Sequence, residues 1–445
     1  MIMSEVERAA LPHGPEMAME DLFQIFVSNP FPFLKDCHEK YGDMFTLPMG
    51  NFGVDEYGAS GSWVIVSDPE HLKQLYKAKP EVFLAGAAND IQFMRMMPKQ
   101  GSVILDGPEH KERRDILRPL LTGRKIIESF TGIIVSVTKR ELAKHADGQT
   151  FELAECFQRI TGEIMRFLNF GEAVNSNTDL IAEKLREFGV PELTPPEKRA
   201  IVEDCQRVVG DIYDDYAKCL HAKQVYQNSA IQTLVEGNED QPKLTEIQFL
   251  SELVVLLVAG TDTTATTLTW MMAWMFSDRD VLEKVLNEIA SVFGDKEPQA
   301  EDFKQLTYLD AVIWESCRRS PMIFTTSARL LRDTLNIGEY QLPAGTMVVN
   351  SPYLTHTDAA NYADPFVFDP KRFLTDKPDP FKMLHFGGGV RRCIGVDFAL
   401  YEMKVIAATM LHQTRFKTVE ISTEPEMRGG FFAPKGGVKV AIQTS

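Results

Sequence analysis

Apolar positions along the chain follow mainly a helical rhythm. Residues 280–293 (DVLEKVLNEIASVF) place apolar side chains three and four apart and stop at Gly294, which predicts an amphipathic helix. The same spacing predicts helices over 150–170, 198–225 and 307–319, the last ended before Pro321. A further helix is expected over 396–413 (VDFALYEMKVIAATMLHQ). Strand-like alternation is rarer. Residues 62–66 read as a strand, and 334–349 as a small sheet with its own turn residues. The tail, GGFFAPKGG followed by VKVAIQT, reads as a hairpin, and the proline-rich 191–198 as a loop between helices. No repeat, low-complexity tract or long linker interrupts the pattern.

One stretch, 253–276, is apolar on all sides and carries a single charge, Asp262. Its length would span a bilayer. Against that, Asp262 lies mid-stretch and six threonines follow Gly260, both unfavourable in hydrocarbon. A helix buried inside a large water-soluble protein shows the same pattern, and that is the expectation here.

Composition narrows the function. With 47 Lys+Arg against 63 Asp+Glu, the 445 residues carry a net charge of −16. A dedicated nucleic-acid binder would need the opposite balance to displace counterions from phosphate. The six cysteines, Cys37, Cys156, Cys205, Cys219, Cys317 and Cys393, form no CxxC pair and are too sparse for a disulfide framework. The N-terminal segment lacks the apolar core of a signal peptide or membrane anchor. A cytoplasmic protein is expected.

The stretch 386–395, F-G-G-G-V-R-R-C-I-G, carries the most chemistry. Three successive glycines allow a tight turn and close approach to a flat ligand. Cys393 follows, just ahead of the predicted helix over 396–413. The helix dipole, the free amides of its first turn and the neighbouring Arg391 and Arg392 all favour thiolate over thiol. A thiolate on such a platform suits an axial ligand to haem iron. A structural turn with an incidental cysteine would read the same way.

Phe386, Gly389, Arg391, Cys393 and Gly395 reproduce F-x-x-G-x-R-x-C-x-G, and the stretch resembles the haem-binding loop of the cytochrome P-450 family. Four more matches follow in the family's order. Glu315 and Arg318 form an E-x-x-R pair on one helix face. The resemblance implies that this pair is buried and joined by Arg372. Ala259-Gly-Thr-Asp-Thr-Thr264 resembles the oxygen-activation segment. There the Thr263 hydroxyl can bond the Ala259 carbonyl and loosen the helix, with Gly260 helping to open a groove. His110 and Arg114, four apart on one face, and Arg329 in Ser-Ala-Arg resemble the family's haem-propionate ligands, with Arg391 a further contact. Each motif has a plain alternative: a solvated ion pair, a polar break in a core helix, a charged surface.

The resemblance implies a mainly α fold with small β-sheets, residues 1–445 as a single domain with β-rich parts at about 40–80 and 325–355, and a long central helix over haem b. It implies a monooxygenase in which Cys393 holds the iron, Thr263 acts in oxygen activation and Asp262 supplies protons. The run CIGVDFALYEMK resembles soluble bacterial enzymes related to fatty-acid and terpenoid hydroxylases, with a place in secondary metabolism. Electrons are expected from a ferredoxin and its NAD(P)H-dependent reductase, docked near Lys371, Arg372, Lys382, Arg391 and Arg392. Substrate walls are expected from a mobile loop at 93–97, Val255, Val258, Ala259, Thr325 and Phe431–Phe432. Their apolar character suits a fatty acid, terpenoid or polyketide-like molecule, although the aromatics among them also suit plain core packing. Two other readings use the same motifs: a peroxide-driven or non-oxygenating haem-thiolate enzyme, and a non-catalytic haem- or ligand-binding protein.

Overall fold

The computed structural model describes residues 11–171, 195–221, 230, 244–375, 377–428 and 430–443. The chain forms two compact units. One comprises Met1–Lys111, Ile323–Val367 and Pro378–Cys393; the other Glu112–Met322, Phe368–Lys377 and Ile394–Ser445.

The first unit is built on a five-stranded sheet in the order Met44–Leu47, Trp63–Val66, Met347–Asn350, Thr326–Leu331, Phe83–Leu84. Trp63–Val66 and Met347–Asn350 are central, paired in parallel, and buried along their whole length. Alternation sends their side chains to two cores, which explains why Trp63–Val66 and residues 347–349 are continuous apolar runs. Trp63, Ile65, Met347 and Val349 enter one core cluster, with Phe45, Ile91 and Leu330. Val64, Val66 and Val348 enter another, with Leu72, Leu75 and Tyr76 from the helix Pro69–Lys77.

The small sheet expected over 334–349 divides in two. Leu335–Ile337 and Tyr340–Leu342 form a hairpin around Gly338, whose φ is +58°. Met347–Asn350 leaves them for the five-stranded sheet. Pro343 cannot donate to a ladder, and Gly345 turns at φ +84°, so the hairpin ends there.

The second unit is mainly helical. Its central helix, Glu246–Ser277, opens with a capping box between Thr245 and Gln248 and is mostly buried inside the unit. It is long and apolar enough to cross a membrane, and 72% of its most apolar window is buried inside the protein. Against it packs Leu153–Phe170. Gly260 lies against the Met165 side chain of that helix: a Cβ there would lie 2.4 Å from Met165 Sδ. Gly260 faces that neighbouring helix, and the helix runs from 246 to 277.

Other helices match their expected spans closely. Arg279–Phe293, Thr307–Arg319 and Val396–Gln413 are observed. The helix expected over 150–170 begins after a short strand, Thr150–Glu152. The one expected over 198–225 is seen as Pro195–His221, while 222–225 lie outside the described residues. Of the loop expected over 191–198, residues 191–194 lie outside the described residues and the remainder starts that helix. Proline is at home in a first turn, where its missing N–H has no partner to lose.

The tail does not form the expected hairpin. Phe431–Pro434 pairs with Pro425–Arg428, whereas Lys439–Gln443 lies between Arg415–Glu420 and Thr150–Glu152 in a separate sheet. Left-handed Gly436 and Gly437 redirect the chain between them. The second sheet buries Val440 and Ala441, which a local hairpin would have left uncovered.

Candidate functional site

In the first unit, the segment around Cys393 is held by backbone hydrogen bonds. Cys393 N–H donates to the Phe386 carbonyl at 2.8 Å and Arg392 N–H to the Gly389 carbonyl at 3.1 Å. Gly387 and Gly389 adopt φ of +65° and +63°, a region open to glycine. Gly388 is required for a different reason. Its N–H donates to Ser327 Oγ at 2.9 Å, and a Cβ would lie 2.1 Å from the Tyr76 ring. Tyr76 cannot retreat without losing its hydroxyl bond to Asn350, 2.9 Å long. Cys393 itself is exposed and forms no disulfide.

Gly388→Ala is expected to displace the Tyr76 ring, at about 1–3 kcal/mol, the usual cost of overpacking. The haem-to-protein ratio of the purified variant should fall, and a Tyr76→Ala, Gly388→Ala double variant should recover part of it. Normal haem content in Gly388→Ala would show that the Tyr76 contact does not shape the cysteine loop.

Arg329 is 1% exposed. Its guanidinium donates to the carbonyls of Ser327 and Ala328, both at 2.9 Å, and of Gly388 at 3.1 Å. Its Nε has no partner, and among the described residues no carboxylate pairs with it. Burial lowers its pKa to about 10. A buried cation beside the cysteine loop with a spare donor suits the carboxylate of a haem propionate.

Arg391 is placed otherwise. It pairs with Asp106 at 2.8 Å and also donates to the carbonyls of Ser102 and Leu105. Asp106 in turn accepts the N–H groups of Ala85, Gly86 and Ala87, at 2.8, 2.8 and 3.1 Å, capping the helix Ala85–Gln92. Sequence reasoning missed Asp106. In Leu-Asp-Gly-Pro it reads as the start of the following helix, and nothing local shows that it caps an earlier one. His110 is buried and Arg114 half-buried on the helix Gly107–Thr122. Between them Arg113, unnoticed in the sequence, forms a buried ion pair with Glu252 at 2.9 Å.

The second unit assembles Glu315, Arg318 and Arg372 as expected. Arg318 grips Glu315 with two bonds, Nε to Oε2 at 2.7 Å and a terminal nitrogen to Oε1 at 2.6 Å. Arg372 Nε donates to Oε1 at 3.3 Å, and the Asp369 N–H to the same oxygen at 2.8 Å. The Glu315 and Arg318 side chains are 0% exposed.

On the central helix, the Thr263 hydroxyl donates to the Ala259 carbonyl at 2.6 Å. Ala259 is exposed, and Gly260, Asp262 and Thr263 are half-buried, on a helix otherwise largely enclosed. Asp262 accepts from Gln158 Nε2 at 2.8 Å. Val255 and Val258 are buried. Thr325 is buried in the first unit, its hydroxyl and carbonyl both taken by the Gln92 amide. Phe432 is buried in the second, its carbonyl bonded by Trp270 Nε1 at 2.8 Å. Residues 93–97 are half-buried, with Met94 and Arg95 left-handed at φ 48° and 59°. Of the basic residues, Lys371 and Arg392 are exposed and Lys382 half-buried.

A family model described as Cytochrome P450 matches residues 12–441. The chain belongs to the cytochrome P450 family. It is 28% identical to cytochrome P450 135B1 of Mycobacterium tuberculosis, over 100% of this chain and 93% of that protein. It is 29% identical to cytochrome P450 138 of the same organism, over 99% and 100%. The solved structure titled "Retinoic acid bound cyanobacterial CYP120A1" has the same fold, with a TM-score of 0.82 over 98% of this chain and 100% of that one at 21% identity. As a P450 the protein is an oxidoreductase, a haem-thiolate monooxygenase that carries haem b on a cysteine thiolate.

Proposed function

We propose that this P450 hydroxylates or epoxidises an apolar small molecule of the fatty-acid, terpenoid or polyketide class, in the cytoplasm, with Cys393 as the iron ligand. The observation that carries the assignment of the ligand is its setting. Cys393 is the one exposed cysteine among the five with described side chains, on a glycine loop beside a buried arginine that pairs with no carboxylate among the described residues. The whole chain acts as one catalytic domain.

When bound, haem b supplies the activation of dioxygen and the transfer of one oxygen atom to substrate, the other leaving as water. The chain's own residues do the rest. Cys393 gives up its proton and binds as an anion. Arg329, with His110 and Arg114, balances the propionate charges, while Arg391, anchored on Asp106, holds the loop that carries the thiolate. Thr263 holds a mobile proton on its hydroxyl, now directed at the Ala259 carbonyl. Asp262, steadied by Gln158, passes protons from solvent towards it. A ferredoxin and its reductase supply electrons, the ferredoxin docking beside the cysteine loop through exposed Arg392. The substrate class follows from the apolar side chains of Val255, Val258, Ala259 and Phe432. Retinoic acid, named for the structural neighbour, belongs to the same broad class.

Titrating the holoprotein with fatty acids, terpenes and macrolides should shift the haem spectrum from low to high spin with one class. No shift with any would sink the substrate proposal. Thr263→Ala is expected to load haem as fully as the parent but to divert NAD(P)H reducing equivalents into hydrogen peroxide, lowering product per NAD(P)H about tenfold or more. An unchanged product yield would remove Thr263 from oxygen activation. Equal turnover with peroxide alone would replace the ferredoxin-dependent reading with the peroxide-driven one.

A further inference from the structure

A cluster in the second unit takes no part in haem binding or oxygen activation. Glu141 lies in the last turn of the helix Thr131–Leu142, His145 stands four residues on, and Cys156 lies in the first turns of Leu153–Phe170. One ligand atom of each, a carboxylate oxygen, an imidazole nitrogen and Sγ, lies within 4.8 Å of the other two. His145 Nε2 is 4.0 Å from Glu141 Oε1. The side chains of Glu141 and His145 are 4% and 10% exposed, and Cys156 is fully buried.

His145 marks this as more than a chance grouping. Its ring stacks on Phe151, with centroids 3.8 Å apart and planes inclined by 11°. Both ring nitrogens are buried, and neither has a hydrogen-bond partner among the described residues. Buried polar groups are rarely left unmatched, because nothing repays the lost hydration. A histidine in the same place with no ligand to bind would be better replaced by phenylalanine.

We propose that Glu141, His145 and Cys156 form a binding site for a zinc ion. Imidazole, thiolate and carboxylate are the three side-chain ligand types zinc accepts, and a water would complete a tetrahedron. A nitrogen and a sulfur donor turn away calcium and magnesium, which require oxygen. Donor atoms about 2.0–2.3 Å from one zinc lie roughly 3.3–3.8 Å apart, so the present separations need only side-chain rotation to close. On binding, the Cys156 thiol releases its proton to solvent. The ion's two positive charges are then met by one thiolate and one carboxylate, with a neutral imidazole.

Burial holds the Cys156 thiol up at about 12 and pushes His145 below its ordinary range. The second effect keeps the imidazole in its ligating form; the first is reversed by the metal's charge. Burial raises the Glu141 pKa, but Lys144 and Arg159 more than offset it, and the carboxyl stays below its usual range. Those two cations compete with a metal for the carboxylate. Lys144 holds Oε2 at 2.6 Å, and Arg159 holds Oε1. Arg159 has an alternative partner in Glu155, at 3.7 Å, when zinc takes Oε1. The bound ion would staple the end of one helix to the start of the next across residues 143–152.

The test uses the haem-loaded protein, dialysed against chelator and then against buffered micromolar zinc sulfate. Expected are one zinc per chain and an X-ray absorption spectrum at the zinc edge with one sulfur neighbour at about 2.3 Å. Cys156→Ser should lose that sulfur and weaken binding more than about tenfold, and Lys144→Met should tighten it severalfold. His145→Phe, which keeps the stack on Phe151, should lose zinc while keeping its haem, and guards against a Cys156 variant that fails to fold. The cluster His38, Asp43 and Asp358 offers no sulfur, so zinc bound there is distinguishable. Less than about 0.2 zinc per chain, or an identical zinc spectrum in Cys156→Ser, would overturn the proposal.

Discussion

Cys393→Ser is expected to abolish monooxygenase activity and, in whatever haem it retains, the red-shifted Soret band of the reduced carbon-monoxide complex. The substitution changes one atom, and the backbone bonds that shape the loop survive it. The Cys393 N–H bond to the Phe386 carbonyl, the left-handed glycines and the Gly388 bond to Ser327 all belong to the backbone or to other residues. Serine can keep them. It cannot supply an anionic, polarisable donor near neutral pH, because its hydroxyl holds its proton far more tightly than a thiol does. The variant therefore separates ligation from loop folding. Persistence of the red-shifted band would move the iron to another ligand.

Glu315→Gln should be the most damaging substitution to stability. Three donors converge on one oxygen of Glu315: Arg318, Arg372 and the Asp369 N–H, while Arg318 also holds the other oxygen. Glutamine keeps the shape, but it turns one acceptor into a donor and removes the only negative charge of this trio. Arg318, 0% exposed, would be left as a buried cation without its counter-charge. Breaking a buried pair in this way costs about 3–5 kcal/mol. Typical folding free energies are about 5–15 kcal/mol, so poor soluble yield and a much lower denaturation midpoint are expected. The urea midpoint of whatever folds is the measurement. A change of less than about 1 kcal/mol would mean that Arg318 finds another partner. An Arg318→Met, Glu315→Leu double variant should lose less than the two single losses added together, because the fully buried cation is removed with its counter-charge and only Arg372, 16% exposed, loses its partner.

The helices were legible because their information is local. Arg279–Phe293 and Val396–Gln413 could be outlined from apolar spacing and a Gly or loop at the end. The Thr263 bond to Ala259 was legible for the same reason, since helix geometry alone brings a hydroxyl to the carbonyl four residues before it. The Glu315–Arg318 pair is equally local, but its third member, Arg372, is 57 residues from Glu315 and was reached only through likeness to a family.

Where residues met across long separations, sequence reasoning missed or misplaced them. Gly260 read as a source of slack in its own helix, and in the fold the Met165 side chain of another helix also lies against it. Asp106, which the sequence did not single out, caps a helix about twenty residues before it. The tail strands looked like partners of each other and found partners elsewhere. The glycine at 388 was expected to serve a flat ligand, and in the fold it also clears the ring of Tyr76.

The amino-acid order by itself determined the helical character of the chain, the thiolate chemistry offered by the cysteine loop and the family to which they point. Tertiary structure alone decided which polar groups are buried and with whom: Arg391 with Asp106, Arg113 with Glu252 and, among the described residues, Arg329 with no carboxylate and His145 with neither nitrogen matched. The division has a physical cause. Bonds three and four residues apart follow from the covalent geometry of a helix, whereas a distant pair forms only when folding has met the entropy of bringing its members together and has removed the water that would otherwise screen them.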